Sequence, residues 1–246
     1  GNERRCTEMK IFIDPGHNGR GIDPGAVGPS GLLEADVTLA VAKLVNAKLQ
    51  AIGIETKMYR NGDIPYYGGN SSSDLKQRCN VANNWGANYF ISIHCNSASS
   101  TARGTETFCY KFGGNGEKLA RCIQDRLIHA VGLTNRGVKE GNFAVIRDTS
   151  MPAVLVELAF ISNPTEEQIL ASARWQEIMA TAIVEGIKDH LGIVEKKEVA
   201  KVEHWAQKYY DYLKSKGITI SETRFDDPVT RGELFALLAR VLGYKD

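Results

Sequence analysis

Two histidines and one glutamate stand at positions where a metal site could form. His17 follows a short apolar run, residues 11–13, that ends at an Asp-Pro-Gly turn, and His94 ends a second apolar run. Such runs predict buried strands, and open α/β sheets bind ligands at the carboxyl ends of their strands. Glu34 follows a glycine-rich loop and begins an amphipathic segment. Two imidazoles and one carboxylate suit zinc, and three protein ligands leave a fourth position for water, as in catalytic zinc sites.

A second glutamate, Glu157, is the candidate general base. It interrupts an otherwise apolar run, residues 153–158. A buried carboxylate costs free energy of desolvation unless it is paired or used. Burial also raises the pKa of a carboxyl group towards the range that acid/base catalysis needs. A structural ion pair is the alternative interpretation of Glu157.

The elements that would position these residues alternate between strands and helices. The predicted strands are residues 11–13, 54–59, 89–94, 104–110 and 153–158, with a further extended segment at 138–147. The predicted helices cover residues 34–50, 117–131 and 175–191, with Asp74 expected to cap another and Asn163 to cap a helix that starts at Pro164. This alternation predicts an α/β fold with a twisted, mainly parallel sheet and helices on both of its faces.

A charged segment divides the chain. Residues 192–201 lack a sustained hydrophobic pattern and predict a linker. The first predicted domain is therefore residues 9–191, and residues 202–246 predict a small α-helical C-terminal module. Its first helix, residues 204–216, is expected to carry an apolar face, and a capping-box sequence at 230–233 is expected to start the second. The residues of that face are Trp205, Tyr209, Tyr212 and Leu213. One helix pair has little core of its own, which favours packing against the first domain or a second copy.

The overall composition excludes several classes of protein. Of the 246 residues, 43% are hydrophobic and 24% are charged, as in ordinary globular proteins. A net charge of +1 gives no support for nucleic acid or an acidic membrane surface as a partner. No apolar run reaches the roughly 18–20 residues of a membrane span. Residues 1–8 lack the apolar stretch of a signal peptide, so we expect synthesis in the cytoplasm, with Met9 as the natural start and a leader or remnant before it.

The cysteines indicate packing rather than chemistry. They are Cys6, Cys79, Cys95, Cys109 and Cys122. The number is odd, the spacing is wide and there is no Cys-x-x-Cys pair, which argues against a disulfide framework or a cysteine zinc site. Because neighbours along a strand point to opposite faces, Cys95 is expected to point away from the side of His94 and to pack as a small hydrophobe.

Five motifs, taken together, resemble one known family. They are Asp14-Pro15-Gly16-His17, Asp23-Pro24-Gly25-Ala26-Val27-Gly28, Gly31-Leu32-Leu33-Glu34, Ser92-Ile93-His94-Cys95-Asn96 and Pro152-Ala153-Val154-Leu155-Val156-Glu157-Leu158. In this order, across residues 10–191, they resemble the zinc-dependent N-acetylmuramoyl-L-alanine amidases of the amidase_3 type. Each motif alone is weak, but five in the family's order are specific. A small departure is Ala159, where the family usually has glycine.

The resemblance implies roles for individual residues. It implies Zn²⁺ bound by His17, Glu34 and His94, with Glu157 as the catalytic base. Asn96, next to the second histidine, is a candidate substrate contact. Arg60 and Arg78 also resemble arginines common in the family, and structural pairing is the interpretation that we favour for both.

The resemblance also implies a function. The expected reaction is hydrolysis of the amide bond between N-acetylmuramic acid and L-alanine in peptidoglycan, which lyses the bacterial cell wall. The missing signal peptide and compact tail resemble a bacteriophage endolysin that reaches the wall through a holin. A bacterial autolysin or sporulation hydrolase is the second interpretation. Two other functions stay open, namely a zinc peptidase that cuts within the stem peptide and a non-catalytic wall-binding protein.

The C-terminal segment resembles one S-layer homology repeat. The resemblance rests on Phe225, on Val229-Thr230-Arg231-Gly232-Glu233 and on Leu238-Ala239-Arg240-Val241-Leu242-Gly243. It implies binding of a secondary cell-wall polymer through the Thr-Arg-x-Glu stretch. Such repeats usually come in threes, and this chain has one, so polymer binding would require a homo-oligomer.

Overall fold

The computed structural model describes residues 9–193 and 207–217, together with the single positions 234, 238 and 241. The chain divides into two compact units, Gly1–Val194 and Glu195–Asp246. All four residues that the sequence singles out for chemistry lie in the first unit.

The first unit is built on one sheet, which has six strands in the part of the chain that the structure describes. The strands are β1 (Lys10–Pro15), β2 (Glu55–Met58), β3 (Tyr89–Asn96), β4 (Thr105–Cys109), β5 (Asn135–Glu140) and β6 (Ala153–Phe160). Their order across the sheet is β2-β1-β3-β6-β4-β5. Strands β1, β2, β3 and β6 are parallel, whereas β4 pairs antiparallel with β6 and parallel with β5. The predicted mainly parallel sheet is confirmed.

Helices cover both faces of this sheet, as predicted. They are α1 (Glu34–Ala51), α2 (Ser71–Trp85), α3 (Asn115–Val131), α4 (Ala144–Arg147), α5 (Pro164–Ala171) and α6 (Ala173–Leu191), with a 3₁₀ turn at Tyr67–Gly69. The larger core cluster joins the sheet to α1, α3 and α6. The smaller cluster joins the opposite face to α2 and α4.

The central strands β1, β3 and β6 are mainly apolar because both of their faces are covered. In β1, Ile11 and Ile13 belong to the larger cluster, whereas Phe12 between them belongs to the smaller one. Phe12 stacks on Phe90 of β3 with ring centroids 5.4 Å apart. Burying a side chain of this size stabilises the fold by roughly 1.5–3 kcal/mol. The strand ends are therefore held firmly where the candidate ligands follow.

Two local predictions were wrong. Helix α2 begins at Ser71, and its cap is Asn70, whose side chain accepts a hydrogen bond from the Ser73 amide at 2.9 Å. Asp74 is not the cap because its carboxylate binds Arg78 and Tyr59 instead. The extended segment predicted at 138–147 ends with β5, and residues 144–147 form the short helix α4. A helical turn lets the consecutive residues Val145 and Ile146 both pack in the smaller core.

The second unit is described only in part. Helix α7 (Gln207–Ser215) lies within the predicted helix 204–216, and Gly217 follows it with φ +78°. The Tyr212 side chain is 61% exposed. The positions 194–201 of the linker, Trp205, the Tyr209 side chain and the capping-box sequence at 230–233 lie outside the described residues. Among the helices that the structure describes, none is long and apolar enough to cross a membrane.

Candidate metal and catalytic site

The three candidate ligands converge at one edge of the sheet. Their candidate ligand atoms all lie within 4.8 Å of one another. One carboxylate oxygen of Glu34 lies 2.9 Å from Nε2 of His17, and the other lies 3.0 Å from Nδ1 of His94. The ring centroids of the two histidines are 5.1 Å apart. The sequence predicted these residues to meet at the ends of β1 and β3, and the structure brings them together there.

His17 is held in an unusual backbone conformation. Its φ is +63°, in the left-handed region that residues other than glycine rarely adopt. The backbone is fixed there by Arg78, whose Nη2 donates to the His17 carbonyl at 2.9 Å. The ring is fixed by Asp23, whose Oδ1 lies 2.9 Å from Nδ1. A proton on Nδ1 that is directed at this carboxylate would leave the lone pair of Nε2 available to a metal cation.

Glu34 is an ionised carboxylate in a largely buried position. Backbone amides of Ala26 and Cys95 donate to its two oxygens, each at 2.9 Å. Burial opposes ionisation, but hydrogen bonds and charge from His17 and His94 outweigh it and hold the pKa of Glu34 well below its usual range. Its place in the first turn of α1 also favours negative charge. The carboxylate therefore carries the charge that a metal cation would need.

His94 is tuned by the same carboxylate. Burial alone would lower the pKa of His94, but the hydrogen bond to Glu34 and its charge outweigh burial and raise this pKa. The carboxylate of Glu34 thus favours positive charge at this position. Cys95, the next residue, packs in the larger core on the opposite face of the sheet, as strand alternation predicts.

Two buried arginines hold the loop that carries His17. The Arg78 guanidinium bonds Asp14 at 2.6 Å and Asp74 at 3.0 Å, and it also donates to the Pro15 carbonyl. It therefore ties α2 to the end of β1. Arg60 donates to the Pro15 carbonyl at 3.3 Å and to the Gly16 carbonyl at 2.9 Å. Arg78 makes the structural ion pairs that the sequence favoured, whereas Arg60 hydrogen-bonds backbone carbonyls and the Thr38 hydroxyl.

Two glycines leave room for the ligands. A Cβ atom at Gly16 would lie 2.4 Å from Cε1 of His94. A Cβ atom at Gly25 would lie 2.5 Å from Cδ2 of His17 and 2.7 Å from Oε2 of Glu34. Real contacts of a Cβ are never this short, so the main chain itself packs against all three candidate ligands.

Glu157 lies directly beside this cluster. It is the cross-strand neighbour of His94 in the pairing of β3 with β6. Its Oε2 is covered and has no hydrogen-bond partner among the residues that the structure describes. Burial raises the pKa of Glu157 to about 7, with the charges of Glu34 and Glu106 adding to the effect and His94 opposing it. A carboxyl group of this pKa can accept and release a proton near neutral pH.

A cleft opens next to these residues. Its volume is about 260 Å³, and both histidines line it. Other residues of its wall include Asp23, Tyr66 and Arg78. Two imidazole nitrogens and a carboxylate oxygen, converging beside such a cleft, form a donor set that fits Zn²⁺. The hydrogen bond from His17 to Asp23 is the second-sphere partner that metal-bound histidines usually have.

Sequence reasoning missed three acidic residues that support the site. Asp23 orients His17, and Glu167 accepts hydrogen bonds from the Ser30 amide at 2.9 and 3.1 Å, which ties α5 to the loop before Glu34. Glu106, buried on β4, binds Arg136, Lys139 and the candidate substrate contact Asn96. The alternating pattern of β4 placed Glu106 on one face of a strand, but nothing local revealed its partners.

The fold and the donor set define a class of protein, namely α/β proteins with a His/Glu/His site suited to a divalent metal. A family described as N-acetylmuramoyl-L-alanine amidase matches residues 11–189. The chain belongs to this family. Membership places it among the hydrolases that degrade the peptidoglycan of the cell wall.

Individual relatives agree with this assignment. N-acetylmuramoyl-L-alanine amidase LytC of Bacillus subtilis is 41% identical over 180 residues, which is 72% of this chain but only 34% of LytC. The sporulation-specific N-acetylmuramoyl-L-alanine amidase of the same organism is 36% identical over 183 residues, 73% of this chain and 67% of the relative. Among solved structures, amidase AmiC2 of Nostoc punctiforme is 34% identical with a TM-score of 0.68, covering 75% of this chain and 97% of AmiC2.

Proposed function

We propose that this chain hydrolyses the amide bond between N-acetylmuramic acid and L-alanine, with Zn²⁺ bound by His17, Glu34 and His94. The observation that carries the proposal is the convergence of three candidate ligand atoms within 4.8 Å, with Glu157 next to His94 on the neighbouring strand. Zinc, when bound, supplies a Lewis acid that polarises an amide carbonyl and makes water more acidic.

The protein's own residues move the proton. Glu157 accepts a proton from the attacking water and returns it to the amine of L-alanine as the carbon–nitrogen bond breaks. A cation held by His17, Glu34 and His94 would favour the ionised form of Glu157, which this step requires. Asp23 keeps its hydrogen bond to Nδ1 of His17 throughout, so the ring does not compete for that proton.

Mass spectrometry of digested cell wall tests this function. We expect new free amines on L-alanine and no other new end groups. A zinc peptidase that cuts within the stem peptide would free different amino termini, and a non-catalytic wall-binding protein would free none. Either of these results would replace the proposed reaction by the corresponding alternative.

The biological setting is a further part of the proposal. We propose that the chain acts on the cell wall and that hydrolysis lyses it. Two settings remain, an endolysin released through a holin and a bacterial autolysin or sporulation hydrolase. The sporulation-specific relative supports the bacterial setting, since it is 36% identical over most of both chains.

Removing the second unit is expected to separate wall targeting from chemistry. A chain that ends at residue 193 keeps the larger hydrophobic core and all four site residues, so it should fold and cleave soluble muropeptides. Its activity on intact cells should be lower by about tenfold or more, because it lacks the module proposed to bind the wall or a second copy of the chain. Wall pull-down, cell lysis and mass in solution measure this. Equal results for both chains would remove both roles from residues 202–246.

A further inference from the structure

A row of functional side chains extends beyond Glu157 across the sheet. Glu157 on β6 is the register partner of His94 on one side and of Glu106 on β4 on the other. Residues in register point to the same face of a sheet, and neighbouring strands lie about 4.8 Å apart. Glu106 therefore lies one strand spacing from Glu157, on the side opposite to the candidate metal ligands.

Glu106 binds two cationic side chains at this end of the row. Its side chain is only 4% exposed, and its Oε2 binds Nε of Arg136 at 3.1 Å and Nζ of Lys139. Both cations come from β5, the strand next to β4. The side chains of Arg136 and Lys139 are 36% and 41% exposed, so each is partly open to solvent beside the row.

The Arg136 head group is held in place before any ligand arrives. Thr105 pairs with Asn135, but the next residue, Glu106, pairs with Gly137, so Arg136 is the extra residue of a bulge. Bulges of this kind often lie next to active sites and re-aim a side chain. The guanidinium carbon lies 4.8 Å from the centroid of the buried Phe160 ring. Stacking and the ion pair together fix the planar group.

The charges do not balance within this cluster. Two cations share one carboxylate, which leaves one surplus positive charge. Nη2 of Arg136 makes no hydrogen bond to any residue in the described part of the chain, and Nζ of Lys139 bonds only Glu106 there. Fixed donors with surplus positive charge, open to solvent, are what a carboxylate ligand requires.

We infer that Arg136 and Lys139 form a subsite for a carboxylate on the peptide side of the scissile amide. The inference rests on the proposed function, which places that amide at Glu157. An extended peptide advances about 3.3–3.6 Å per residue. With the scissile amide at Glu157, the residue after L-alanine can therefore reach the neighbouring strand, where Glu106 binds Arg136 and Lys139. In peptidoglycan that residue carries either a free carboxylate or, after amidation, a neutral carboxamide. The subsite thus selects stem peptides that are not amidated at this residue.

Kinetics on two soluble muropeptides test the inference. The pair differs only in a carboxylate or a carboxamide on the residue after L-alanine. Because one charge-assisted hydrogen bond is at stake, we expect kcat/KM of the full chain to favour the carboxylate about 5- to 20-fold. In Arg136→Gln and in Lys139→Gln this ratio should fall towards one, mainly through KM. Each single variant leaves Glu106 one cation, and the ratio cancels any general loss of activity.

Lys111→Gln is the matched control. It removes one positive charge near the same sheet edge, where Lys111 pairs with Glu140 at 3.6 Å and does not contact Glu106. Its ratio should equal that of the wild type. Equal kcat/KM for both muropeptides in the wild type, or an unchanged ratio in both subsite variants, would overturn the inference.

Binding to zinc-loaded Glu157→Gln separates the subsite from the reaction. Calorimetry with the same two muropeptides should show tighter binding of the carboxylate form. Discrimination in binding without cleavage of the muramoyl bond by the wild type would refute the proposed reaction and keep the subsite. Cleavage of that bond with equal binding of both peptides would support the proposed reaction and refute the subsite.

Discussion

Glu157→Gln is expected to lower kcat by about 10²- to 10⁴-fold while zinc content and wall binding stay close to those of the wild type. The amide keeps the size of the side chain but cannot accept a proton from water. None of the three candidate metal ligands is changed, and the variant retains the packing of β6. Initial rates on a soluble muropeptide, with zinc measured in the same sample, give the comparison.

Glu140→Gln serves as the control, because Glu140 is an exposed carboxylate at the end of β5 and away from the ligands. It should turn over at the wild-type rate. If Glu157→Gln also kept most of its activity, Glu157 would be a structural residue and another group would have to act as base.

Stability against pH gives a second measure of the same residue. Since burial raises the pKa of Glu157 from 4.5 to about 7, the native chain binds a proton more tightly than the unfolded chain does. This residue therefore lowers the free energy of unfolding as pH rises from about 4.5 to 7. In chelator-treated protein, the free energy of unfolding of Glu157→Gln should therefore fall less between about pH 4.5 and 7 than that of the wild type. A decline identical to that of the wild type would show that the carboxyl group is not perturbed.

Removal of zinc is expected to lower turnover by more than about 10³-fold, since a Lewis acid contributes several kcal/mol to the transition state. Activity should return when about one zinc per chain is added. Elemental analysis and titration with zinc after chelation measure both quantities. Full activity in protein with verified absence of metal would refute the assignment of His17, Glu34 and His94.

Asp23→Asn is a graded variant for the same experiment. The amide can still contact His17, but it no longer offers a negative charge to the Nδ1 proton. Zinc affinity should fall about 10- to 100-fold, the usual cost of losing a second-sphere partner. An unchanged affinity would mean that loop geometry alone orients the ring.

The parts of the fold that were predictable are those with local causes. The apolar runs before His17 and His94 predicted two central strands. A strand that is buried on both faces lacks the alternation of polar and apolar residues. Asn163 was recognised as a cap from its neighbours, and its side chain does accept from the Thr165 amide. The direction of β4 was not predictable, because antiparallel pairing with β6 depends on how the chain returns to the sheet.

The residues that support the site bind partners that are far away in the sequence. Glu167 holds the Ser30 amide across 137 residues of sequence, and Arg78 reaches Asp14 across 64. No local pattern distinguishes such a carboxylate from a solvated one. Helix capping shows the same limit, since Asp74 has the right residue type for a cap but is bound by Arg78. The metal ligation itself and the role of residues 202–246 stay predictions.

The close packing of Gly16 and Gly25 against the ligands bears on the entropy of metal binding. Ordering a free side chain on binding typically costs about 0.5–1.5 kcal/mol. Here the main chain already limits the rotamers of His17, Glu34 and His94 when the protein folds. Most of that conformational entropy is therefore lost during folding, and little remains to be lost when a cation binds. Two residues without side chains would thus raise the affinity for a cation that they do not ligate.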